Sequence, residues 1–111
     1  MPGRNQNRHK VKITEHAKSR LASRCPYILP NNYSGVCTAA RYKGTSINNL
    51  PDNQRKWVAK HFKFKYNTNQ IRVYKNTIFI FAGDHSRTLI TVYRLPKWLV
   101  EKSNDEHSDV V

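Results

Sequence analysis

Residues 71–95 read IRVYKNTIFIFAGDHSRTLITVYRL. The stretch contains three runs rich in β-branched and aromatic residues, separated by the short polar segments KN and GDHSR. Such runs, joined by short turns, are typical of an antiparallel meander. Together with the run HFKFKY just upstream, they predict four strands, near residues 61–66, 70–75, 77–82 and 88–95.

The first two predicted strands separate apolar side chains from basic ones. Ile71 and Val73 alternate with Arg72 and Tyr74, and successive side chains of a strand point to opposite faces of the sheet. We therefore expect an oily face that the helices cover and a basic face left open to a ligand. The run at residues 61–66 follows the same pattern, with Lys63 and Lys65 opposite Phe62, Phe64 and Tyr66.

The last predicted strand has apolar residues on both sides, so its orientation is ambiguous. If Ile90 and Val92 point inward to the oily face, Thr91 and Tyr93 lie on the exposed face. The opposite assignment stays open, because a shift of one residue exchanges the two faces of a strand.

Helices are expected before the strands. In ITEHAKSRLASR, residues 13–24, Thr14 is a good N-cap and an apolar stripe recurs at helical spacing, which predicts a helix over residues 14–24. A short helix ending at Gly44 and a further one after Pro51 follow from GVCTAARYKG and TSINNLPDNQRKWVAKHF. The expected fold class is α+β, with two or three N-terminal helices packed on one face of a four-stranded antiparallel sheet.

The charge points to a polyanionic partner. The 111 residues include 20 lysines and arginines against 7 acidic residues, a formal net charge of +13. Residues 101–111 are acidic, and we expect a flexible basic arm over 1–11, one α+β domain over 12–100 and a disordered acidic tail over 101–111. A sharper interpretation of the tail is that it competes with nucleic acid for the basic surface.

Metal chemistry and membrane insertion are not expected. Glu15, Asp52 and Asp84 are the only acidic residues before the tail, and they show no metal-binding motif. Cys25 and Cys37 do not fit a zinc spacing and are expected to be free thiols. The sequence has no signal-peptide-like start and no apolar run of about 18 residues. We expect a cytoplasmic protein without a cofactor or a membrane partner.

RNA offers a route to metal-free cleavage because its own 2′-hydroxyl can attack the adjacent phosphate. The protein must then supply a proton-transfer group such as His, and Lys or Arg to stabilise charge on the phosphate oxygens. His16 and Arg20 form one candidate pair at helical spacing, and His85 beside Arg87 forms another. A histidine beside an arginine on a helix is also an ordinary solvated surface pair, and this alternative stays open.

The helix ITEHAKSRLASR and the final strand TLITVYRLP together resemble small bacterial and phage domains of the barnase-EndoU-colicin-RelE ribonuclease superfamily. The most similar members carry a histidine and two arginines in H-x3-R-x3-R spacing on the first helix and a last strand close to ITVY. The resemblance spans roughly residues 12–98 and implies a RelE-like fold. It also implies active roles for His16, Arg20, Arg24, Thr91 and Tyr93.

The expected function is a metal-independent endoribonuclease of toxin or host-interference type. RNA would be held by Lys63, Lys65, Arg72, Tyr74, Arg87 and Arg94, with Tyr74 and Tyr93 stacking on unpaired bases. Cross-strand packing without any ligand is the ordinary role of such tyrosines, and this alternative stays open. Two other functions fit the same charge: a non-catalytic nucleic-acid-binding accessory protein, and a basic protein that binds an acidic host protein, antitoxin or immunity protein.

Overall fold

The sheet has four strands, as expected, but its composition differs from the expectation. The structure is a computed structural model that describes residues 10–63, 65–66, 70–83 and 87–100, leaving out the side chain of Lys63. Its strands are β1 (Lys12–Ile13), β2 (Ile71–Tyr74), β3 (Thr77–Phe81) and β4 (Thr88–Arg94). They lie in the order β1-β4-β3-β2. The antiparallel meander β2-β3-β4 is confirmed, whereas β1 pairs with β4 in parallel, so the sheet is mixed.

The strand predicted at residues 61–66 is wrong. Ala59–Lys63 form a π-helical turn that continues the preceding helix. Val58 and Phe62, four residues apart, are both buried in one apolar cluster. A helical spacing that buries two side chains together therefore overrides the period-two pattern of HFKFKY. The fourth strand comes instead from Lys12–Ile13, just before the first helix.

Three α-helices are described: α1 (Glu15–Arg24), α2 (Tyr33–Lys43) and α3 (Asp52–Val58). Short 3-10 turns at Pro30–Asn32 and Ile47–Asn49 precede α2 and α3. Thr14 caps α1, because its hydroxyl accepts a hydrogen bond of 3.0 Å from the Ala17 amide. The predictions of α1 and of a helix ending before Gly44 are confirmed.

Helical segments cover both faces of the sheet, so the expectation of one covered face is wrong. All five residues of β3 are buried. Phe79 and Phe81 pack on the side of α1 and α2, and Ile78 and Ile80 pack on the side of α3. We name these two groups the front cluster (Val11, Ala17, Leu21, Cys25, Cys37, Ala40, Phe79, Phe81, Leu89 and Val92) and the back cluster (Ile47, Leu50, Val58, Phe62, Ile71, Val73, Ile78, Ile80, Leu95 and Leu99).

A register shift decides the orientation of β4. Ile80 lies opposite Thr91 and Phe81 lies opposite Leu89, so Ile90 is an extra residue of the kind that makes a β-bulge. The bulge lets Leu89 and Val92, an odd number of residues apart, both join the front cluster. The assignment of Val92 to the face of Ile71 and Val73 is therefore wrong. The opposite assignment is correct only for the residues after the bulge, because Leu89 shares the front face with Val92.

The open basic face is absent from the described part of the sheet. Arg72 and Tyr74 do lie opposite Ile71 and Val73, as predicted, but both are half-buried. α2 ends at Gly44 directly over Arg72: a Cβ at position 44 would stand 3.0 Å from the Arg72 Cβ. Burial, and then the positive charge of Arg41, lowers the pKa of the Arg72 guanidinium.

Most of the expected basic arm and all of the expected acidic tail lie outside the described residues. Val11, which we placed in the arm, is buried in the front cluster, and its amide donates to the Thr38 hydroxyl at 3.2 Å. Cys25 and Cys37 are free and buried, as expected. Within the described part of the chain, no helix is both long enough and apolar enough to span a bilayer.

Loss of a helix N-cap typically costs about 1 kcal/mol, and Thr14→Ala should lower the free energy of unfolding by at least that amount because Thr14 also has a tertiary partner. Thr14 has one, because its hydroxyl donates to the Leu89 carbonyl at 3.2 Å and so links α1 to β4. Thr14→Ser, which retains the hydroxyl, should keep most of the stability. Urea unfolding of the two variants measures this, and equal losses would show that the hydroxyl contributes nothing.

Candidate nucleic-acid interface

The candidate interface lies along the part of β4 that has no pairing with β1. β1 pairs only at Thr88 and Leu89, because the chain then turns into α1. In the described part of the chain, residues 90–94 consequently have a strand partner on one side only, and α1 packs along β4. The polar groups on this open edge are available to side chains of α1 or to a ligand.

The histidine and the two arginines of α1 lie on one stripe, as their spacing predicts. His16 is exposed, and Arg20 and Arg24 are half-buried. The Arg20 Nε donates a long hydrogen bond of 3.4 Å to the His16 Nε2. In this contact the His16 Nε2 is the acceptor. The adjacent Glu15 carboxylate forms an ion pair with the Lys18 ammonium at 3.3 Å.

Arg24 connects the stripe to the final strand. Its Nη1 donates a hydrogen bond of 2.7 Å to the Val92 carbonyl. Its Cζ stands 4.4 Å from the centroid of the Tyr93 ring, a cation–π contact. α1 belongs to the front of the sheet and Tyr93 packs on the back cluster. Arg24 therefore crosses the open edge, which is how residues on opposite faces come together.

Aromatic rings extend this contact along the back of the sheet. The rings of Tyr93 and Phe62 are 4.8 Å apart, and Phe62 contacts Trp57 at 6.0 Å. His61 stacks on Trp57 at 4.1 Å and its Nδ1 is 2.8 Å from the Trp57 carbonyl. This row was not predicted, because residues 61–66 were expected to form a strand. The helical spacing of Trp57 and His61 was the available signal.

We name His16, Arg20, Arg24 and Tyr93 the edge strip. Thr91, the fifth residue that the resemblance singles out, is buried, with 3% of its surface exposed. Its Oγ1 is enclosed and has no hydrogen-bond partner among the described residues. The expectation that Thr91 lies on an exposed face is therefore wrong. Either β4 or the residues packed on it would have to move before the Thr91 hydroxyl could reach a ligand.

The other expected RNA-binding residues do not gather on one surface. Lys65 is exposed beyond the π-helical turn, and Arg72 and Tyr74 are half-buried on the front of the sheet. The Arg87 carbonyl accepts from the Lys12 amide at the start of β1. Arg94 is exposed at the end of β4, over the ring of Tyr27. The side chain of Lys63, and His85 of the second histidine pair, lie outside the described residues.

No group of three His, Cys, Asp or Glu side chains within the described ranges is arranged to hold a metal ion. The chemistry at the edge strip consequently rests on one imidazole, two guanidinium groups and one phenol. These groups suit an anionic ligand with aromatic rings.

Comparison of the chain with protein-family models, with curated proteins and with solved structures yields no match.

Arg24 and Tyr93 should be energetically coupled. A double-mutant cycle with Arg24→Gln and Tyr93→Leu, measured by urea unfolding, should give a coupling energy of about 1 kcal/mol, because the contact is partly shielded from water. Lys43→Gln provides the matched control, since Lys43 is exposed in the last turn of α2. Its cycle with Tyr93→Leu should give a coupling near zero. Equal coupling energies in the two cycles would contradict the contact.

Proposed function

We propose that the protein binds single-stranded RNA along the edge strip and cleaves it without a metal ion. One observation carries the proposal: Arg24, on the same stripe of α1 as the His16–Arg20 pair, contacts the Tyr93 ring across the open edge of β4. Phosphate-binding cations, a stacking ring and a proton-transfer group are thereby brought to one edge of a chain whose net charge is +13.

The proposed RNA binding depends on the guanidinium groups of the edge strip and on the Tyr93 ring beside them. Unpaired bases stack on aromatic rings and on guanidinium planes, and Arg24 over Tyr93 presents both as one layer. Arg20, one turn away on the same stripe, is placed to contact a neighbouring phosphate. Because stacking and phosphate contacts tolerate any base, this surface favours single strands over a particular sequence.

Cleavage would follow the internal route that RNA permits. His16 releases its long hydrogen bond with Arg20 and accepts the 2′-hydroxyl proton on Nε2, the 2′-oxygen bonds to phosphorus, and the bond from phosphorus to the 5′-oxygen breaks. Arg20 stabilises the charge that grows on the phosphate oxygens. The departing 5′-oxygen takes a proton from the Tyr93 hydroxyl. The products are a 2′,3′-cyclic phosphate and a free 5′-hydroxyl.

The resemblance to the barnase-EndoU-colicin-RelE superfamily supports the same reaction and suggests its setting. On that basis the proposed role is that of a toxin or host-interference nuclease that acts on cellular RNA in the cytoplasm. A nuclease of this kind requires control, so an acidic antitoxin, immunity or host protein is the proposed protein partner. The cationic edge strip offers such a protein the same surface that RNA would use.

A second candidate function is a non-catalytic RNA-binding accessory protein. The burial of Thr91 favours it, because one of the five residues assigned by the resemblance is out of reach of a ligand. The hydrogen bond from Arg24 to the Val92 carbonyl also gives that arginine a structural role that needs no chemistry.

Cleavage is tested with purified full-length protein, mixed cellular RNA and EDTA. We expect cleavage to persist in chelator and to leave cyclic or 3′-phosphate ends. His16→Ala should slow it by about 100-fold or more, because a positioned acid or base typically contributes that much. Arg20→Ala should slow cleavage through lost charge stabilisation, and Tyr93→Phe should slow it because the ring remains but the proton donor is gone.

His61→Ala is the matched control, since His61 is an exposed histidine on the segment that covers the other face of the sheet. It should cleave as fast as the unchanged protein. Cleavage that survives His16→Ala would contradict the assignment of His16 and direct attention to His85. Tight RNA binding with no cleavage at all would favour the accessory function.

RNA binding should weaken steeply with salt, and the edge strip should carry part of that dependence. For single strands the slope of log K against log salt is about 0.7 per phosphate contact, so Arg20→Gln, which removes the proposed phosphate contact, should reduce it by about 0.7. Lys43→Gln removes the same charge from an exposed position on α2. Equal reductions by the two variants would contradict a localised site.

A further inference from the structure

A second basic region lies at the other end of α1, away from His16. There a cleft of about 860 Å³ opens between the segment after α1, the β2–β3 turn and the end of β4. Its lining includes Tyr27, Lys75, Asn76, Arg94, Leu95 and Lys97. The volume lies within the range of small-molecule sites in proteins, about 300–1,000 Å³. The functions proposed above make no use of this cleft.

The described lining of the cleft is basic. It includes the side chains of Lys75 and Arg94, and it includes no carboxylate within the described part of the chain. Leu95 and Val100 supply apolar surface between these cations. Fixed positive groups around a concave, partly apolar surface favour an anion that also has a hydrophobic part.

Tyr27 provides a fixed and exposed ring at the cleft, with 55% of its surface accessible. The Thr77 hydroxyl donates to the Lys75 carbonyl at 3.3 Å, so it accepts the proton of the Tyr27 hydroxyl across 2.6 Å. The Arg94 Cζ stands 5.4 Å from the centroid of the ring. Burial of the hydroxyl end raises the pKa of Tyr27, which keeps the phenol protonated. A large ring held in this way, yet left open, resembles a stacking platform.

The backbone fixes the opposite rim. Lys75 and Asn76 both have left-handed conformations, with φ of 50° and 63°, and form the tight turn between β2 and β3. The Asn76 carbonyl accepts a hydrogen bond of 3.1 Å from the Leu95 amide, which ties this turn to the end of β4. The cleft is therefore anchored on two neighbouring strands and needs no loop closure to form.

We propose that this cleft binds a nucleoside monophosphate unit, with its phosphate held by Lys75 and Arg94 and its base stacked on the Tyr27–Arg94 layer. The unit is either a free mononucleotide or the phosphorylated end of an RNA strand, because both present the same phosphate and base. The site is separate from the edge strip and does not require that the strip bind or cleave RNA.

The test is titration calorimetry of the full chain with AMP, adenosine and inorganic phosphate at low salt. AMP should bind at least about ten-fold more tightly than adenosine or phosphate, because it alone engages both the ring and the cations. Equal affinities for AMP and phosphate would overturn the proposal, since binding would then depend on charge and gain nothing from stacking of the base.

Variants locate the site. Tyr27→Leu should weaken AMP binding about ten-fold and leave phosphate binding unchanged, whereas Tyr27→Phe keeps the ring and should bind AMP normally. Lys75→Gln with Arg94→Gln should weaken both ligands. The control pair Lys43→Gln with Lys56→Gln removes equal charge elsewhere and should change neither. Equal weakening by the two pairs would overturn the proposal, and circular dichroism verifies that every variant is folded.

Two further measurements complete the test. One distinguishes a strand end from a free mononucleotide, and the other distinguishes this proposal from the proposed RNA cleavage. A 5′-phosphorylated tetranucleotide that binds at least ten-fold more tightly than AMP, through Tyr27 and Arg94, identifies a strand end. Equal affinities identify a free mononucleotide, and binding of neither overturns the site. His16→Ala should leave AMP affinity unchanged. RNA cleavage can therefore fail while AMP binding succeeds, or the reverse.

Discussion

Burial of β3 on both faces is the constraint on which the rest of the structure depends. Phe79 and Phe81 require cover on the front, and Ile78 and Ile80 require it on the back. A chain of 111 residues meets both needs by placing α1 and α2 on one face and the α3 segment on the other. The two proposed binding surfaces consequently lie at the open edge of β4 and at the end of the sheet.

The local elements of the fold were predictable because their signals are local. Turn residues and β-branched runs identified β2, β3 and β4, and the Thr14 cap identified α1. Two features depended on tertiary packing instead. Residues 61–66 fit a strand and a helix equally well by composition, and the burial of Phe62 beside Val58 decided between them. The bulge at Ile90 breaks the simple alternation from which the orientation of β4 was predicted.

Only the part of the candidate site that lies on α1 was predictable, because helical spacing is a pattern within one element. Spacing alone placed His16, Arg20 and Arg24 on one stripe. The crossing of Arg24 to Tyr93 depends on β1 ending after two residues, which no pattern within α1 indicates. The cleft joins three segments distant in the sequence, and its cations have no shared motif. Their convergence follows from the β2–β3 turn meeting the end of β4.

The hydrogen bond from Arg24 to the Val92 carbonyl also bears on strand addition at the open edge of β4. An unpaired sheet edge is a template on which another chain can add a strand, and a charged side chain across it discourages such pairing. Arg24 occupies one acceptor of the β4 edge and places a positive charge beside it. A ligand that draws Arg24 away uncovers that acceptor. Ligand occupancy and protection against aggregation are thus physically linked through one guanidinium group.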